Sequence, residues 1–420
     1  MNGGADAARI DYLVSRFPKT SETFILREID ALDRRGPWEL GLRSLFRSPD
    51  SPTVHESAAR WTGVLRRPGV VNMTFGMSWA MRRRPRALAD VLAVVIRAHT
   101  RRPGLLVRAV VTVVLAAAHA RELADVTNAR IHAHFATYPT LAAWVCHRLA
   151  GTRYGFTAHA HDLYVDRTML TAKMAEADYV ITVSEFNRRL LESVPGTSET
   201  PVRVVHCGID TARYSYRPRV IPSAGPIRAL CVASLEAYKG HRVLFEAIAR
   251  GGPGVDRIEL DLVGDGPLRA GLVRLSRDFG LDGRIRFLGQ RSERQVRRLL
   301  ADADLFVLPS VVAVDGQMEG LPVALVEALA CGVPAVSTAL SGVPEIVVDE
   351  VTGLLATPGD AGSLRDALER TVADVRGTER RARDGRRLVE EHFDLDACVD
   401  RLVDVVAGHV RGTSGRGVTG

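Results

Sequence analysis

The sequence predicts two α/β domains, each built on a doubly wound parallel sheet. From about residue 226 onward, short β-rich runs alternate with helical stretches. The strand runs are apolar throughout and the helices are amphipathic, which is typical of βαβ units whose sheet is covered on both faces. A chain of 420 residues also exceeds one core, since a domain commonly holds about 100 to 200 residues. Ligands bind at the carboxyl ends of the strands in such sheets, so we expect function in those loops.

The N-terminal half shows the same alternation less regularly. Its predicted strands are 11–15, 129–136, 153–160, 178–184 and 202–210. An Arg-rich helical insertion lies at about 64–128, and the Pro-rich stretch YRPRVIPSAGP is the best linker candidate. We therefore predict two domains that face a central cleft, with a C-terminal helix that packs back on the first domain and ends in a flexible tail. The predicted boundaries are 1–215 for the N-terminal domain, 216–226 for the linker, 227–395 for the C-terminal domain and 396–420 for the last helix and tail.

Cysteine usage and hydropathy indicate a cytoplasmic protein. The five cysteines are scattered and lack any C-x-x-C spacing, which is typical of a reduced protein without a disulfide framework or zinc site. The N-terminus shows no basic segment followed by an apolar one, so we expect no signal peptide. The apolar run 105–118 is interrupted by Arg108 and is shorter than the roughly 20 residues that span a bilayer, so no transmembrane helix is predicted.

The net charge of +7 is unevenly distributed. Between Arg60 and Arg130 the chain carries 13 Arg and three acids, so this segment is +10 and the remainder is −3. Such an excess suits a surface that faces phosphates, and we predict peripheral binding to anionic lipid at the inner face of the membrane. A solvated helical face is the alternative. Nucleic-acid binding is disfavoured because the segment lacks interleaved aromatic residues and a recognised reading module.

The stretch EGLPVALVEALACGVPAV, residues 319–336, contains a carboxylate in an apolar helical run. Burying Glu327 without a partner would cost several kcal/mol, roughly, or change its protonation state. Pro322 at the first helical position leaves free backbone N–H groups that can bind an anion. We therefore predict that Glu319 and Glu327 accept hydroxyl groups of a sugar nucleotide while the helix start holds its phosphate. A capping Glu and a satisfied core Glu are the alternative.

This stretch, together with VASLEAYKGH, LVGDGP and ADLFVLPS, resembles the retaining glycosyltransferases of family 4. These have the GT-B fold of two Rossmann-like domains, and the four motifs occur in the expected order and spacing. The N-terminal YLVSRFPKTSETFILREI, HAHFAT and FTAHAHDLYV resemble more narrowly the colanic-acid and exopolysaccharide branch of that family. The resemblance covers nearly the whole chain.

The resemblance implies roles for residues of the C-terminal half. Glu319 would contact the hydroxyl groups of the donor sugar, and Glu327 would hold the ribose hydroxyls. Lys239, at the start of its helix, would neutralise the leaving diphosphate, where developing charge matters most. The full set of implied donor-binding positions is Ser234, Gly264, Gly289, Gln290, Arg291, Ser310, Gly320, Leu321, Pro322 and Glu327.

One position departs from the family pattern. Members commonly have an Arg five residues before the Lys, and this chain has Ser234. The transition-state charge would then be met by Lys239, the helix N-terminus and another basic residue such as Arg242. A catalytically silent binding subunit is therefore an alternative function.

The N-terminal half supplies the implied acceptor side. His159 matches a strand-end His that family members place close to the donor sugar, and its implied role is catalytic, by positioning that sugar. A structural histidine is the alternative. The acceptor is expected to enter past the loop 15–24. The predicted acceptor-side residues are Arg16, Lys19, Ser21, Glu22, His134, His161 and Asp162.

Two other chemistries were weighed against this one. The pairs His132/His134 and His159/His161 would place imidazoles on one face of a strand, as metal ligands require, so a metal-dependent hydrolase is the alternative enzyme class. The run Gly264-Asp265-Gly266 lacks the third Gly of a dinucleotide-binding motif, so no such cofactor is expected. We predict no metal and no cofactor beyond a nucleotide diphosphate sugar as co-substrate.

The prediction as a whole is a retaining, metal-independent glycosyltransferase. It moves a hexose from a nucleotide diphosphate sugar to a hydroxyl of a saccharide or lipid-linked saccharide, in exopolysaccharide or cell-surface glycan synthesis. Glycosylation of a soluble small-molecule natural product is the alternative reaction.

Overall fold

A computed structural model describes residues 9–19, 22–35, 38–49, 57–197 and 199–411. The chain divides into two compact units. The N-terminal unit comprises Met1–Val183, Asn187–Val205 and Val399–Gly420, and the C-terminal unit comprises Ser184–Phe186 and His206–Cys398. Ser21, one of the predicted acceptor-side residues, lies outside the described residues.

In the described residues of the N-terminal unit, seven strands form a sheet whose neighbouring strands all pair in parallel. Its strands are β1 (Arg9–Phe17), β2 (Glu39–Arg47), β3 (Leu65–Arg66), β4 (Ala129–His134), β5 (Arg153–Ala158), β6 (Val180–Thr182) and β7 (Val202–Val204). Their order across the sheet is β3-β2-β1-β4-β5-β6-β7. The direction of winding reverses between β1 and β4, which is where α/β sheets open a crevice for ligands.

Helices cover this sheet and form the insertion between β3 and β4. They are α1 (Thr23–Arg35), α2 (Ala58–Val64), α3 (Val70–Arg83), α4 (Pro85–His99), α5 (Pro103–Leu123), α6 (Tyr138–Ala150), α7 (His161–Tyr164), α8 (Leu170–Ala175) and α9 (Glu185–Glu192). Helix α3 crosses α5 closely at Gly76, where a Cβ atom would lie 2.6 Å from the backbone of Ala118. This close approach packs two helices of the Arg-rich insertion against each other.

Helix α5 is 21 residues long and is apolar enough, by length and composition, to cross a membrane. Half of its most apolar window is buried inside the protein, and its Ala116, Ala117 and Ala120 belong to the core of the N-terminal unit. A buried core helix of a soluble protein has the same properties. The finding therefore does not by itself indicate a membrane span.

The C-terminal unit contains a six-stranded parallel sheet. Its strands are β8 (Ile227–Val232), β9 (Ile258–Val263), β10 (Ile285–Gly289), β11 (Leu305–Leu308), β12 (Ala335–Thr338) and β13 (Leu354–Ala356). Their order is β10-β9-β8-β11-β12-β13, so the winding reverses between β8 and β11. The loops that follow these two strands carry the predicted residues Lys239 and Glu319.

Helices alternate with these strands and continue after β13. They are α10 (His241–Ala249), α11 (Arg269–Asp278), α12 (Glu293–Asp302), α13 (Val323–Ala330), α14 (Ala361–Ala373), α15 (Val375–His392) and α16 (Leu395–Arg411). Short 3₁₀ turns lie at Thr211–Arg213, Ala237–Lys239, Val255–Arg257 and Val343–Glu345. From Val399 onward, α16 belongs to the N-terminal unit.

Two predicted helix starts are wrong by one or two residues. Pro322 is the N-cap of α13, with extended backbone angles, and the helix begins at Val323. Lys239 lies in a 3₁₀ turn, and α10 begins after Gly240, whose φ of 71° lies in the left-handed region. A Cβ atom at Gly240 would lie 1.9 Å from the carbonyl oxygen of Pro309. The tight turn therefore brings the loop of Lys239 against the end of β11.

Candidate functional site

An ion pair joins the two loops at the switch point of the C-terminal sheet. The Lys239 ammonium contacts the Glu319 carboxylate, and both side chains are close to fully buried. Burial alone would lower the pKa of Lys239, but the charge of Glu319 raises it above its ordinary value. Lys239 is therefore firmly cationic, and it neutralises a carboxylate that would otherwise be costly to remove from water.

The loop of Glu319 is held by a second loop that follows β12. The Ser341 hydroxyl donates to the carbonyl oxygens of Glu319 and Gly320, and the Gly342 amide donates to the carbonyl of Gly320 at 3.2 Å. Leu321 and Pro322 are buried beneath this loop. Glu319 therefore has a fixed backbone as well as a fixed side chain, immediately before the N-terminus of α13.

Two buried polar side chains near this ion pair have no hydrogen-bond partner among the described residues. One is Ser310, at the end of β11, and the other is His241, in the first turn of α10. Burial and the charge of Lys239 lower the pKa of His241 to about 4, so its ring is neutral. Buried polar groups are usually satisfied, and such exceptions are typical of ligand sites. His241 was not predicted as a site residue, although it stands in the motif VASLEAYKGH.

Glu327 is buried, with 9% of its surface exposed, and it has a partner inside the C-terminal unit. The Tyr214 hydroxyl donates to its Oε1 atom at 2.8 Å. Tyr214 stands just before the predicted linker, 113 residues away in the chain, so no local sequence pattern predicts this contact. This bond fixes the Glu327 carboxylate against the segment that leads into the predicted linker.

The remaining donor-side positions lie on neighbouring loops. The Gly264 amide donates to the carbonyl of Gly289 at 3.0 Å. A Cβ atom at Gly264 would lie 1.9 Å from the carbonyl oxygen of Ala233, so only glycine permits this approach to the loop of Ser234. Ser234 itself is exposed, as are Gln290 and Arg291 at the start of the segment that leads to α12.

In the N-terminal unit, a buried chain of hydrogen bonds leads to His159. Glu28 on α1 accepts from the Tyr12 hydroxyl at 2.9 Å and from His134 Nε2 at 3.1 Å. His134 Nδ1 lies 3.3 Å from His159 Nε2, and the two rings are stacked. Burial alone would raise the pKa of Glu28, but His134 and Tyr12 hold it at about 2. The ionised Glu28 therefore only accepts, and His134 carries a proton on Nε2.

These hydrogen bonds indicate which ring nitrogen of His159 carries a proton. Burial lowers the pKa of His159 to about 3, so the ring is neutral. In the His134 tautomer whose proton is on Nε2 alone, the Nδ1 atom accepts from Nε2 of His159. The Nδ1 atom of His159 then remains an acceptor, and it has no hydrogen-bond partner among the described residues. An imidazole in this state accepts a hydrogen bond from a hydroxyl group.

Glu28, His132 and His134 also offer ligand atoms that lie within 4.8 Å of one another. They could hold a metal ion by distance, although both nitrogens of His132 contact protein groups, Tyr179 at 3.1 Å and Thr157 at 3.0 Å. Glu28, whose carboxylate accepts from His134, was not among the predicted site residues. The second predicted histidine pair is wrong, because β5 ends at Ala158 and His161 begins α7, so His159 and His161 share no strand face.

The other acceptor-side residues are distributed over two places. Arg16, Lys19 and Glu22 line a small cavity of about 10 Å³ beside β1, and Lys19 forms an ion pair with Glu22. Asp162 is fully buried and accepts from the backbone amides of Ala136 and His159. Burial raises the pKa of Asp162 to about 6 despite these bonds. Its carboxylate thus ties the end of β5 to the end of β4.

Two family models match the chain. The model described as Glycosyltransferase Family 4 matches residues 78–213, and the model described as Glycosyl transferases group 1 matches residues 216–387. The two matches adjoin and together cover most of the chain.

Curated relatives carry the names of polysaccharide enzymes. AmsK of Erwinia amylovora, an amylovoran biosynthesis glycosyltransferase, is 33% identical over 215 residues, which are 50% of this chain and 52% of AmsK. WcaL of Escherichia coli (strain K12), a glycosyltransferase assigned to colanic acid biosynthesis, is 35% identical over 191 residues, which are 46% of this chain and 47% of WcaL. The chain spans about half the length of the curated relatives that it matches.

Solved structures show the fold. Anabaena HepE, in complex with UDP and glucose, has a TM-score of 0.68 at 19% identity and covers 96% of this chain and 100% of HepE. Sucrose-phosphate synthase from Thermosynechococcus elongatus has a TM-score of 0.70 at 19% identity with the same coverage. The predicted GT-B fold, with two Rossmann-like parallel-sheet domains, is confirmed.

We expect His159 to remain neutral from about pH 8 down to about pH 5, because its pKa lies near 3 rather than 6.5, and to carry its proton on Nε2 at about pH 8. Long-range ¹H–¹⁵N NMR spectra report both properties, and His159→Gln assigns the signal. A midpoint near pH 6.5, or a proton on Nδ1, would contradict the chain of bonds from Glu28.

The lowered pKa values of His132 and His159 also make the stability of the fold depend on pH. Between about pH 6.5 and pH 3 the unfolded chain binds more protons at His132 and His159 than the folded one, so their contribution to stability falls as pH is lowered through this window. Asp162 acts in the opposite direction between its ordinary 3.8 and about 6.

Proposed function

The chain belongs to the glycosyltransferases that these two family models describe, and on this premise we propose that it transfers a hexose from a nucleotide diphosphate sugar to a hydroxyl group. The observation that carries the proposal is the buried ion pair of Lys239 and Glu319 at the switch point of the C-terminal sheet. A fixed cation beside a carboxylate, next to a helix N-terminus, suits a ligand with both phosphates and hydroxyl groups.

The leaving diphosphate would be stabilised by Lys239 and by the N-terminus of α13. Charge develops on that diphosphate as the bond to the sugar breaks, and preorganised positive groups are most effective there. His241 is a further donor for the phosphates, because its buried ring is neutral and has no partner among the described residues. These groups would neutralise the charge of the leaving diphosphate without a metal ion, so the proposed reaction is metal-independent.

The sugar would be oriented by Glu319, and the nucleoside by Glu327 together with the exposed loop of Gln290 and Arg291. We propose retention of the anomeric configuration, with the acceptor attacking on the face from which the diphosphate leaves. The diphosphate oxygen then takes the acceptor proton, and the protein contributes positioning and electrostatics. The Nδ1 atom of His159 is a hydrogen-bond acceptor, which supports the proposal that His159 binds a hydroxyl group of the donor sugar.

We propose a saccharide or lipid-linked saccharide as the acceptor, within exopolysaccharide synthesis. The names of the relatives AmsK and WcaL support this assignment. So does the surface of α3, where Val70, Val71 and Phe75 are 72%, 63% and 56% exposed. Exposed arginines lie at both ends of α3, namely Arg66 and Arg67 before it and Arg82, Arg83, Arg84 and Arg86 at or after its last turn. Apolar side chains among cations are typical of peripheral binding to an anionic membrane, where a lipid-linked acceptor is available.

Removing either member of the ion pair should abolish most of the turnover. We expect Lys239→Ala and Glu319→Ala to lower kcat about 100-fold or more, since losing one transition-state contact typically costs about 100- to 1,000-fold. Nucleotide release from a panel of UDP- and GDP-sugars is the measurement. Arg286→Ala, which breaks an exposed ion pair with Asp261 in the same unit, is the control. Tight nucleotide binding without turnover of any donor would favour the silent subunit that Ser234 suggests.

Two single variants distinguish nucleotide binding by Glu327 from a structural role of its bond to Tyr214. A hydrogen bond to a charged group contributes about 1.5 to 3 kcal/mol, so Glu327→Ala should raise the Kd for the nucleotide at least about tenfold. Tyr214→Phe keeps the carboxylate and should change that Kd by less than about threefold. Titration calorimetry measures both. If both variants lowered stability equally and left nucleotide affinity unchanged, Glu327 would be a structural residue and not a ligand-binding one.

Membrane binding should depend on both charge and exposed apolar groups. We expect co-sedimentation with anionic vesicles at low salt and its loss at about 1 M salt, where charges are screened within about 3 Å. Val71→Ser with Phe75→Ser should weaken it severalfold, whereas Val348→Ser with Val351→Ser, two exposed valines of the C-terminal unit, should not. Absence of binding at low salt would remove the membrane from the proposal and favour a soluble acceptor.

A further inference from the structure

A second concave site lies on the C-terminal unit, on the side of α12. It is an open cavity of about 220 Å³ whose lining includes five arginines and one tyrosine. We call it the arginine pocket and define it by Arg213, Tyr214, Arg217, Arg294, Arg297 and Arg298. None of these residues is among the predicted donor or acceptor residues, so the pocket supplies no group to the reaction proposed above, although Tyr214 also donates to Glu327.

The arginines of the pocket exceed the carboxylates that could neutralise them. Arg213 and Arg297 share Glu293, at 3.4 and 3.5 Å. In the part of the chain that the structure describes, the other three, Arg217, Arg294 and Arg298, have no carboxylate within ion-pairing distance. Like charges held around one cavity repel each other, and an anion in that cavity would remove the repulsion.

The pocket is formed by two segments that are fixed in place. Arg294, Arg297 and Arg298 follow the i, i+3, i+4 spacing that puts them on one face of α12. The opposite wall is the segment 213–217. It is held by the Arg217 amide, which donates to the Cys331 carbonyl at 3.3 Å, and by the Tyr214 carbonyl, which accepts from Arg386 at 2.8 Å.

Arg219 adds positive charge next to the residues that line the arginine pocket. The guanidinium of Arg219 donates to the carbonyl oxygens of Leu300 and Ala301 at the end of α12. Its Nε atom is buried and has no hydrogen-bond partner among the described residues. The Arg297 guanidinium lies 5.9 Å from the centre of the Tyr214 ring, which limits its freedom. The cationic groups are therefore partly preorganised, unlike arginines on an open helical face.

We propose that the arginine pocket binds a small phosphorylated anion with at least two negative charges. Guanidinium groups match phosphate oxygens through paired, charge-assisted hydrogen bonds, and several of them together favour a multiply charged ligand. The volume suits a compact ligand such as pyrophosphate or a phosphorylated sugar or glycerol, because pockets for larger ligands usually measure about 300 to 1,000 Å³. A soluble metabolite and a lipid headgroup share this chemistry.

The test compares two pairs of exposed arginines in the same unit. Arg294→Gln with Arg298→Gln removes two charges from the pocket. Arg376→Gln with Arg380→Gln removes two charges, also four residues apart, from α15. Titration calorimetry of the full chain with pyrophosphate should show an affinity at least about tenfold lower for the pocket pair, as expected when about 1.4 kcal/mol of binding is lost. The control pair should bind like the unchanged chain.

Because both pairs keep Lys239, any difference between them reports the arginine pocket and not the donor site. Arg294→Lys with Arg298→Lys keeps the charge but loses the planar fork, and its affinity should be intermediate. Circular dichroism spectra establish that each variant is folded. Equal affinity of the pocket pair and the control pair, whether unchanged or weakened alike, would overturn the proposal.

A second comparison identifies the source of the phosphate. Glycerol 3-phosphate in solution and vesicles that contain phosphatidic acid are offered to the same variants. Loss of glycerol 3-phosphate binding by the pocket pair, with vesicle binding retained, supports a soluble ligand, and loss of vesicle binding specific to the pocket pair supports a lipid headgroup. Retention of both by the pocket pair would again overturn the proposal.

Discussion

A carboxylate that leaves water needs a partner, and this requirement determines how the candidate sites of both units are built. Glu319 is neutralised by Lys239, and Glu28 accepts from Tyr12 and His134. Glu327 accepts from Tyr214. In each case the partner comes from a different element of the fold, so satisfying the carboxylate also fixes two segments against each other. The buried glutamates therefore hold the loops of the candidate sites in place as well as offering acceptors to a ligand.

The topology of the two sheets explains why these residues meet. In the C-terminal unit the winding reverses between β8 and β11, so their loops diverge to opposite faces and leave room at the carboxyl edge. Lys239 and Glu319 stand on those two loops, 80 residues apart in the chain. In the N-terminal unit the reversal lies between β1 and β4, and His134 is the last residue of β4. Both units thus concentrate polar side chains at the carboxyl ends of their strands, where α/β sheets bind ligands.

The sequence predicted most of the second half because its strands are short apolar runs between amphipathic helices. Strand β2 was not predicted, because its run ELGLRSLFR has polar residues among the apolar ones. One of these, Arg43, is nevertheless buried and forms an ion pair with Asp11. Glu28, His241 and Tyr214 were missed for a common reason. Glu28 and His241 stand inside quoted motifs and Tyr214 close to the predicted linker, but their significance depends on burial and on contacts with distant segments, which periodicity does not report. The arginine pocket likewise joins residues some 80 positions apart.

Tyr214 connects the arginine pocket to the proposed nucleoside site. Its ring lies beside Arg297 in the pocket wall, and its hydroxyl donates to Glu327 on α13. An anion that draws Arg297 away from the ring would change the packing of Tyr214, and Glu327 is the first charged group to be affected. Lys239 and Glu319 are tied to each other and to the loop of Ser341 instead. Occupancy of the pocket would therefore act on nucleotide affinity before it acted on the transfer step, and by linkage the nucleotide would change the affinity of the pocket by the same factor.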